Sequence, residues 1–288
     1  PSDEMCSMLD ERDGTRHVSL KRAAASKLEM TTLTLARGRM IVLQDLTEKV
    51  KLEEARRDFF IDAGHEFQTP LTVIRTGLEM LMSGGSVTEK EDLDALKSMI
   101  RQQERISGLV DDLLFLVKLD LGTSVENREE VNMREMIYDV ISDVKQLPSG
   151  KNIEIKANLP EGPLSYSGVY GDIRRALLNL VENGVKYVSS ARDQGGRVDI
   201  TVGDSTEALR ISVDDNGPGV PEEERELIFE RFRRGDHHRA RRGSSFGGYG
   251  LGLSISRRIA EREGGSLEIE GSGLGGASFI MTLPRKQS

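Results

Sequence analysis

Apolar residues recur at helical spacing over residues 60–81 and again over residues 93–117. The steps between them are of three or four residues, which is typical of helices that pack into bundles. The first seam is formed by Phe60, Gly64, Phe67, Leu71, Ile74, Leu78 and Leu81, and the second by Leu93, Leu96, Ile100, Ile106, Val110, Leu113 and Val117, with Gln103 at one core position. The breaker at residues 83–86 separates the seams, so the pattern predicts a helical hairpin.

A hairpin with one apolar stripe cannot bury that stripe by itself. A second copy of the same hairpin would bury it, because identical subunits commonly pair through the same surface. We therefore expect a homodimer in which two hairpins form a four-helix bundle.

The pattern changes on both sides of the hairpin. Between residues 16 and 47 apolar and polar positions alternate around a turn at residues 36–39, which predicts antiparallel strands. Beyond Gly122 helical and strand patterns follow one another, with helices at 133–144, 172–188 and 254–262 and strands at 153–157, 198–203 and 209–214. The predicted fold class is α+β and multidomain, a helical hairpin followed by an α/β sandwich. The predicted domains are 1–47, 48–125 and 126–288.

Composition narrows the classes of function. Apolar residues make up 37% of the 288 positions and charged residues 31%, and no apolar run approaches the length of a membrane span. We expect a soluble segment without membrane contact. The net charge of −8, the absence of Trp and the 5% of aromatic residues argue against nucleic-acid binding. The single cysteine, Cys6, excludes an intramolecular disulfide.

His65 follows the seam position Gly64, so its side chain is predicted to face solvent. A lone surface histidine is usually inert, but its neighbours suggest chemistry. Glu66 can hydrogen-bond one ring nitrogen and accept its proton while the other nitrogen attacks. Thr69 lies one helical turn further on, where its hydroxyl could orient a water. The alternative for Thr69 is that it only shapes the chain before Pro70.

A second set of candidate residues is spread over the C-terminal domain. Asn179, Asn183 and Lys186 share one helical face, and carboxamide oxygens suit Mg²⁺ while lysine suits phosphate. Residues 215–219 and 248–252 form two glycine-rich turns whose backbone donors can approach a nucleotide closely. The second turn runs into a helical pattern, which would place phosphate at a helix N-terminus.

Residues 60–71, with the core Gly64-His-Glu-Phe-Gln-Thr-Pro-Leu71, resemble the H-box of the histidine kinase dimerisation and phosphotransfer domain. The resemblance implies that His65 is the phosphoacceptor, Glu66 the base, and Thr69 the residue that assists hydrolysis of the phosphorylated partner. Gln68 replaces a basic residue of the usual pattern. Asp45-Leu46-Thr47, where strands meet a helix, resembles the end of a PAS sensory domain, with an unrelated β-hairpin as the alternative.

The C-terminal pieces resemble the N, G1, F and G2 boxes of the ATP-binding fold shared by gyrase, mismatch-repair, chaperone and histidine kinase ATPases. For the metal and the phosphates, the resemblance implies that Asn183 binds Mg²⁺ with Asn179 assisting, that Lys186 contacts phosphate and that Arg234 reaches the γ-phosphate. For the adenine, it implies that Tyr187 packs by the ring, that Asp215 accepts the amino group and that Gly217 and Gly219 shape that end of the pocket. It further implies that Phe229 and Phe232 form the F-box and that the triphosphate is admitted by Gly248, Gly250, Leu251 and Gly252. Two positions depart from the family pattern, since Gly184 replaces Ala and Tyr249 replaces a small hydroxyl residue.

Two other classes of function compete with a kinase. Clamp ATPases of the gyrase or chaperone type place a Glu four residues before the Mg²⁺-binding Asn to activate water, whereas Asn179 at that position cannot act as a base. A non-catalytic scaffold is disfavoured by the intact motifs. The expected function is autophosphorylation of His65 with ATP and Mg²⁺, then transfer to an aspartate on a response-regulator receiver domain, with phosphatase activity toward that regulator. The resemblance implies a cytoplasmic location, which includes the cytoplasmic part of a membrane-anchored sensor.

Overall fold

The structure is a computed structural model that describes residues 14–20, 26–35, 38–82, 89–121, 128–150, 152–192, 194–233 and 249–285. The chain forms two compact units, residues 1–66 and 67–288. Among the helices of these ranges, none has both the length and the apolar character that a membrane span requires.

The first unit contains a three-stranded antiparallel sheet of β1 (Gly14–Leu20), β2 (Ser26–Leu35) and β3 (Gly38–Asp45) in the order β1-β2-β3. Helix α1 (Thr47–Met82) follows one residue after β3. The Asp45 carboxylate accepts a hydrogen bond of 2.8 Å from the Thr47 N–H, one of the donors that a helix start leaves unpaired. The predicted strands and their direct connection to a helix are confirmed. Of the predicted turn at residues 36–39, Gly38 and Arg39 belong to β3 instead, and residues 36 and 37 lie outside the described residues.

Helices α1 and α2 (Glu89–Leu121) occupy the two segments where the seams predict helices. Helix α1 continues through Pro70. In the second unit the two helices approach closely at Gly77, where an added Cβ would lie 2.9 Å from the sulfur of Met99. The breaker at residues 83–86 lies outside the described ranges.

Most positions of the predicted seam remain exposed in a single chain, and others, such as Ile74 and Ile106, are half-buried. Leu71 is 54% exposed, Leu78 48% and Ile100 57%. The buried apolar side chains of α2, Met99, Leu109, Leu116 and Leu119, stand at other positions of the helix. A single hairpin therefore leaves an apolar stripe exposed, and a second copy of the hairpin is predicted to cover it.

The C-terminal part of the second unit is built on a five-stranded sheet. Its strands are β5 (Ile153–Asn158), β7 (Gly196–Asp204), β8 (Ala208–Asp215), β9 (Ser266–Gly271) and β10 (Ala277–Pro284), in the order β5-β7-β8-β10-β9. The β5–β7 pair is parallel and the other pairs are antiparallel.

Three helices pack against this sheet: α3 (Met133–Gln146), α4 (Tyr170–Ala191) and α5 (Gly252–Arg262). Their apolar faces and the strands form a core in which Ile137, Leu177 and Ile211 have no exposed surface. A two-stranded sheet of β4 (Glu129–Asn132) and β6 (Ser165–Gly168), which the sequence pattern did not predict, flanks this layer. The predicted hairpin followed by an α/β domain is confirmed.

Candidate nucleotide-binding and phosphoacceptor sites

Helix α4 positions the candidate metal-binding residues because its apolar face anchors it in the core. Leu180 and Val181 are fully buried, whereas Asn179, Asn183 and Lys186 lie half-buried on the other side of the helix. The amide nitrogen of Asn179 donates a hydrogen bond of 3.2 Å to the carbonyl oxygen of Gly252. This bond joins the N-box helix to the first residue of α5, so two motifs 73 residues apart in sequence meet in the fold.

Asp215 ends β8 and is only 2% exposed. Its Oδ1 accepts the N–H of Gly217 at 2.8 Å and the N–H of Ala277 at 3.2 Å. Burial raises the pKa of the Asp215 carboxyl above its usual value, and the two backbone N–H donors act in the opposite direction. Within the described ranges no donor reaches Oδ2, so this oxygen is available to an amino group of a ligand.

Glycines occupy positions next to Asp215 where a side chain would collide with its carboxylate. A Cβ at Gly217 would lie 2.9 Å from Asp215 Oδ1, and one at Gly276 would lie 2.2 Å from it. Gly219 has a φ of 72°, which non-glycine residues rarely adopt. The sequence reasoning named Gly217 and Gly219 but missed Gly276 and Ala277. The glycine pair 275–276 between two strands is the signal that could have indicated them.

A cavity of about 690 Å³ opens beside Asp215. Its lining includes Tyr187, Asp215 and Gly219 from the predicted set. Apolar walls that the sequence reasoning missed come from Pro218, Val220, Pro221, Ile228, Leu253, Ala277 and Phe279. A cavity of this size with apolar walls and one buried carboxylate fits a nucleotide base.

The F-box and the G2 box are joined through their backbones. Phe232 has a φ of 61°, and its N–H donates to the carbonyl oxygen of Gly250 at 3.0 Å. Gly250 has a φ of 72°, and a Cβ there would lie 2.6 Å from the carbonyl oxygen of Arg233. Leu251 is fully buried and holds the start of α5 at Gly252 in place. Arg234 and Gly248 lie outside the described residues.

The structure does not bring every predicted residue to the wall of the cavity. The lining residues include Arg233 and Leu253, the direct neighbours of the F-box and G2 positions. The other predicted residues of the described ranges are not part of that lining: Asn179, Asn183, Lys186, Gly217, Phe229, Phe232, Gly250, Leu251 and Gly252. The carboxamide of Asn183 makes no hydrogen bond with the described part of the chain, so its oxygen fits a cation ligand.

The candidate phosphoacceptor lies on α1. His65 is exposed, as its place next to the seam predicts, and the adjacent Glu66 is half-buried. Thr69 is also exposed and follows four residues later on the same helix. A solvent-facing histidine next to a carboxylate can be reached by a nucleotide that another domain carries.

Family models match both regions of the chain that carry these candidate sites. The family model described as histidine kinase-, DNA gyrase B- and HSP90-like ATPase matches residues 168–287. The model of the His Kinase A (phospho-acceptor) domain matches residues 55–122.

Similar proteins carry related names. Sensor histidine kinase WalK of Bacillus subtilis (strain 168) is 35% identical over 257 residues, which cover 87% of this chain and 40% of that protein. Signal transduction histidine-protein kinase/phosphatase MprB of Mycobacterium sp. (strain KMS) is 36% identical over 270 residues, or 89% of this chain and 48% of that protein. Full-length ShkA, solved in complex with AMPPNP, matches with a TM-score of 0.57 and 27% identity over 76% of this chain and 44% of its own.

A helical hairpin with an exposed histidine, followed by a domain of the gyrase-type ATPase fold, defines a class of ATP-binding phosphotransfer proteins. Together with the relatives, the two matches show that the chain belongs to the sensor histidine kinases of two-component systems. It spans about half, or less, of the length of the curated relatives described above.

Proposed function

We propose that this chain uses ATP and Mg²⁺ to phosphorylate its own His65 and then passes the phosphoryl group to an aspartate on the receiver domain of a response regulator. The observation that carries the proposal is the buried Asp215, with Oδ1 held by two backbone N–H groups, on the wall of a cavity of about 690 Å³ that has room for a nucleotide base. The same chain has a histidine within the matched phospho-acceptor domain, and this histidine can receive the γ-phosphoryl group of the bound nucleotide.

In the proposed nucleotide site, Oδ2 of Asp215 accepts the adenine amino group, and Tyr187 packs beside the base. Asn183 and Asn179 offer carboxamide oxygens to Mg²⁺, which when bound offsets the charge of the phosphates. Lys186, on the same face of α4, and Arg234 contact the phosphates. These residues position the nucleotide, and positioning with electrostatic stabilisation supplies most of the rate in phosphoryl transfer.

His65 supplies the nucleophile. A lone pair on one ring nitrogen attacks the γ-phosphorus, the bond from that phosphorus to the bridging oxygen breaks, and ADP leaves. Glu66 accepts the proton of the other ring nitrogen, which leaves a neutral phosphohistidine ring. General-base assistance of this kind contributes a factor of roughly 10² to 10⁴.

Autophosphorylation with radiolabelled ATP and Mg²⁺ tests the proposal. The label should be acid-labile and stable in alkali, because a phosphoramidate rather than an ester forms at His65. His65→Gln should abolish labelling while the circular dichroism and the nucleotide affinity stay those of the wild type. Labelling that persists in His65→Gln would show that another residue is the nucleophile.

We also propose that the chain dephosphorylates its regulator, with Thr69 positioning the attacking water. The name of the relative MprB, a kinase/phosphatase, supports this second activity. Thr69→Ala should leave autophosphorylation largely intact and slow the decay of purified phosphorylated regulator by about tenfold or more.

Thr72 provides the matched control for Thr69. It is the next threonine of α1, and its hydroxyl donates to the backbone carbonyl of Gln68 at 2.8 Å. Thr72→Ala should therefore leave the regulator's decay unchanged. Equal decay with wild-type and Thr69→Ala protein would remove the catalytic role of Thr69, and loss of both activities would point to a disturbed helix.

A further inference from the structure

The cavity beside Asp215 has a second charged side chain in its wall, and the nucleotide contacts described so far give it no role. Arg225 follows the short 3₁₀ helix Glu222–Glu224, in the segment that continues from the G1 box. Its side chain lines the cavity and is half-buried. The base pocket therefore contains a cation as well as the carboxylate of Asp215.

Contacts with the backbone place the guanidinium of Arg225 near Asp215. Its Nε donates a hydrogen bond of 3.4 Å to the carbonyl oxygen of Val220, and its Nη2 lies 3.9 Å from the place where a Cβ of Gly271 would stand. Gly271 is the cross-strand partner of Ala277, whose N–H donates to Oδ1 of Asp215. The guanidinium and the buried carboxylate thus lie on neighbouring parts of one wall.

Most hydrogen-bond donors of this guanidinium remain available. In the part of the chain that the structure describes, Arg225 forms no ion pair, and the carbonyl of Val220 is its one hydrogen-bond acceptor. A guanidinium carries several N–H donors in a planar fork. A ligand in the cavity displaces water from these donors, and a buried donor without an acceptor is costly. A ligand that fills this cavity should therefore offer an acceptor to Arg225.

The other charged residues of the lining do not supply such a donor. Glu224 is half-buried, and a carboxylate can only accept hydrogen bonds. Arg233 is exposed, and its backbone adjoins Gly250 of the G2 box. Of the charged side chains that line the cavity, Arg225 is therefore the half-buried donor.

The positions of the other predicted nucleotide contacts orient the base. Asn183, Lys186 and Gly252, which the family pattern assigns to the metal and the phosphates, are not part of the cavity lining. The ribose, which is attached at N9 of the five-membered ring, should therefore point out of the cavity, and the six-membered ring should enter first. That ring presents the 6-amino donor and the N1 acceptor side by side.

We propose that Arg225 is a specificity-determining residue of the nucleotide site, with its guanidinium donating a hydrogen bond to N1 of adenine while Oδ2 of Asp215 accepts the amino group. The inference rests on the proposed function and deepens it, because it names a second group that recognises the base. Guanine would place a carbonyl oxygen against Asp215 and an N–H against Arg225. The pair of side chains therefore fits adenine and opposes guanine.

Arg225→Met tests the proposal, because methionine keeps an apolar stem and removes every donor. The full chain would be titrated in the presence of Mg²⁺ with ATP and with 1-deaza-ATP, in which a C–H replaces N1. The wild type should bind ATP about tenfold more tightly than 1-deaza-ATP, as expected for one hydrogen bond from a charged donor. In Arg225→Met the affinity for ATP should fall by about tenfold, and the two ligands should bind equally.

Two controls isolate the contact with N1. 7-Deaza-ATP keeps the amino group and N1, so it should bind the wild type as ATP does and should also lose about tenfold in Arg225→Met. Arg210→Met makes the same change at an exposed position of β8, between the buried Leu209 and Ile211 of the opposite face. It should leave every affinity unchanged.

The contact should act on binding and not on the transfer step, because Arg225 touches the base and not the phosphates. Autophosphorylation of Arg225→Met should therefore show a KM for ATP that is raised by about tenfold, with an unchanged kcat. An interaction that is equally strong in the ground state and the transition state changes KM alone. A lowered kcat with an unchanged KM would contradict a role in base recognition.

The comparison of ligands separates a contact with the base from other roles of Arg225. A structural role, or a general attraction for the triphosphate, would weaken ATP and 1-deaza-ATP by the same factor and would overturn the proposal. An effect of Arg225→Met that disappears with 7-deaza-ATP instead of 1-deaza-ATP would also overturn it. A wild-type chain that binds none of these nucleotides would contradict the proposed nucleotide site itself. Tight binding of ATP together with equally tight binding of 1-deaza-ATP would contradict this inference alone.

Discussion

The nucleotide-binding domain buries its large apolar side chains, whereas the helical hairpin leaves many of its own exposed. In the domain, Leu209 and Ile211 of β8 and Leu177 of α4 have no exposed surface. On the hairpin, Leu71, Leu78 and Ile100 each keep about half of their surface exposed. Burying such a side chain is worth about 1.5–3 kcal/mol, so the domain closes its own core while the hairpin leaves a comparable gain for a partner.

The same contrast applies to the two functional groups. Asp215 has its geometry fixed by the folded core, through two backbone N–H donors and glycines that leave no spare space. His65 lies on a helix and is exposed. Changes in the domain should therefore act on nucleotide binding, and changes on the hairpin should act on assembly and transfer.

The largest effect is expected from Asp215→Asn. The replacement keeps an acceptor but puts an amide donor where the adenine amino group would bind, so the ATP affinity should fall by about 100-fold. Equilibrium titration with a fluorescent ATP analogue would measure it. His65→Gln is the matched control, because it should remove labelling without changing this affinity.

The thermal stability of Asp215→Asn shows whether a lower ATP affinity comes from a lost contact or from a damaged fold. Burial raises the folded-state pKa of the Asp215 carboxyl above its unfolded value. The contribution of this carboxyl to the free energy of unfolding is therefore fully present below the unfolded pKa, and it is lost as the pH rises through the folded pKa. At neutral pH the neutral asparagine should therefore unfold at a temperature close to that of the wild type. A large drop in the melting temperature would show that the affinity loss reflects a damaged fold instead of a lost contact.

A smaller effect is expected from a charge on the exposed hairpin stripe. Leu78→Glu should weaken the proposed homodimer by about tenfold or more, because the carboxylate would be buried between two copies. Sedimentation equilibrium over a range of concentrations would measure the dissociation constant. Thr76→Glu adds the same charge at an exposed position outside the seam and should leave the dimer intact. A wild-type chain that stays monomeric and helical at micromolar concentration would contradict the dimer itself.

The two regions also differ in how far the sequence alone predicts them. The heptad spacing predicted α1 and α2 and the exposure of His65, because helical periodicity is a local property. The short strands β4 and β6 were missed, since four-residue strands carry little periodic signal. Contacts such as Gly276 against Asp215, or Tyr249 against Gly108, join distant segments, and only the folded chain brings them together. The residue roles in the pocket, and Arg234 in particular, stay predictions.

The smallest expected effect concerns Gly184, where the family pattern has alanine. A Cβ at this position would lie 3.4 Å from a methyl of Val198 and 3.7 Å from Cβ of Asp215, both ordinary contacts. Gly184→Ala should therefore fit and should stabilise the domain by about 0.5–1 kcal/mol, through the better helix propensity of alanine, with unchanged ATP affinity. Gly217→Ala is the contrasting variant, since its Cβ would lie 2.9 Å from Asp215 Oδ1 and should lower the affinity. Thermal unfolding with nucleotide titration would distinguish the two, and destabilisation by Gly184→Ala would show that the N-box helix packs more tightly on β7 than these distances indicate.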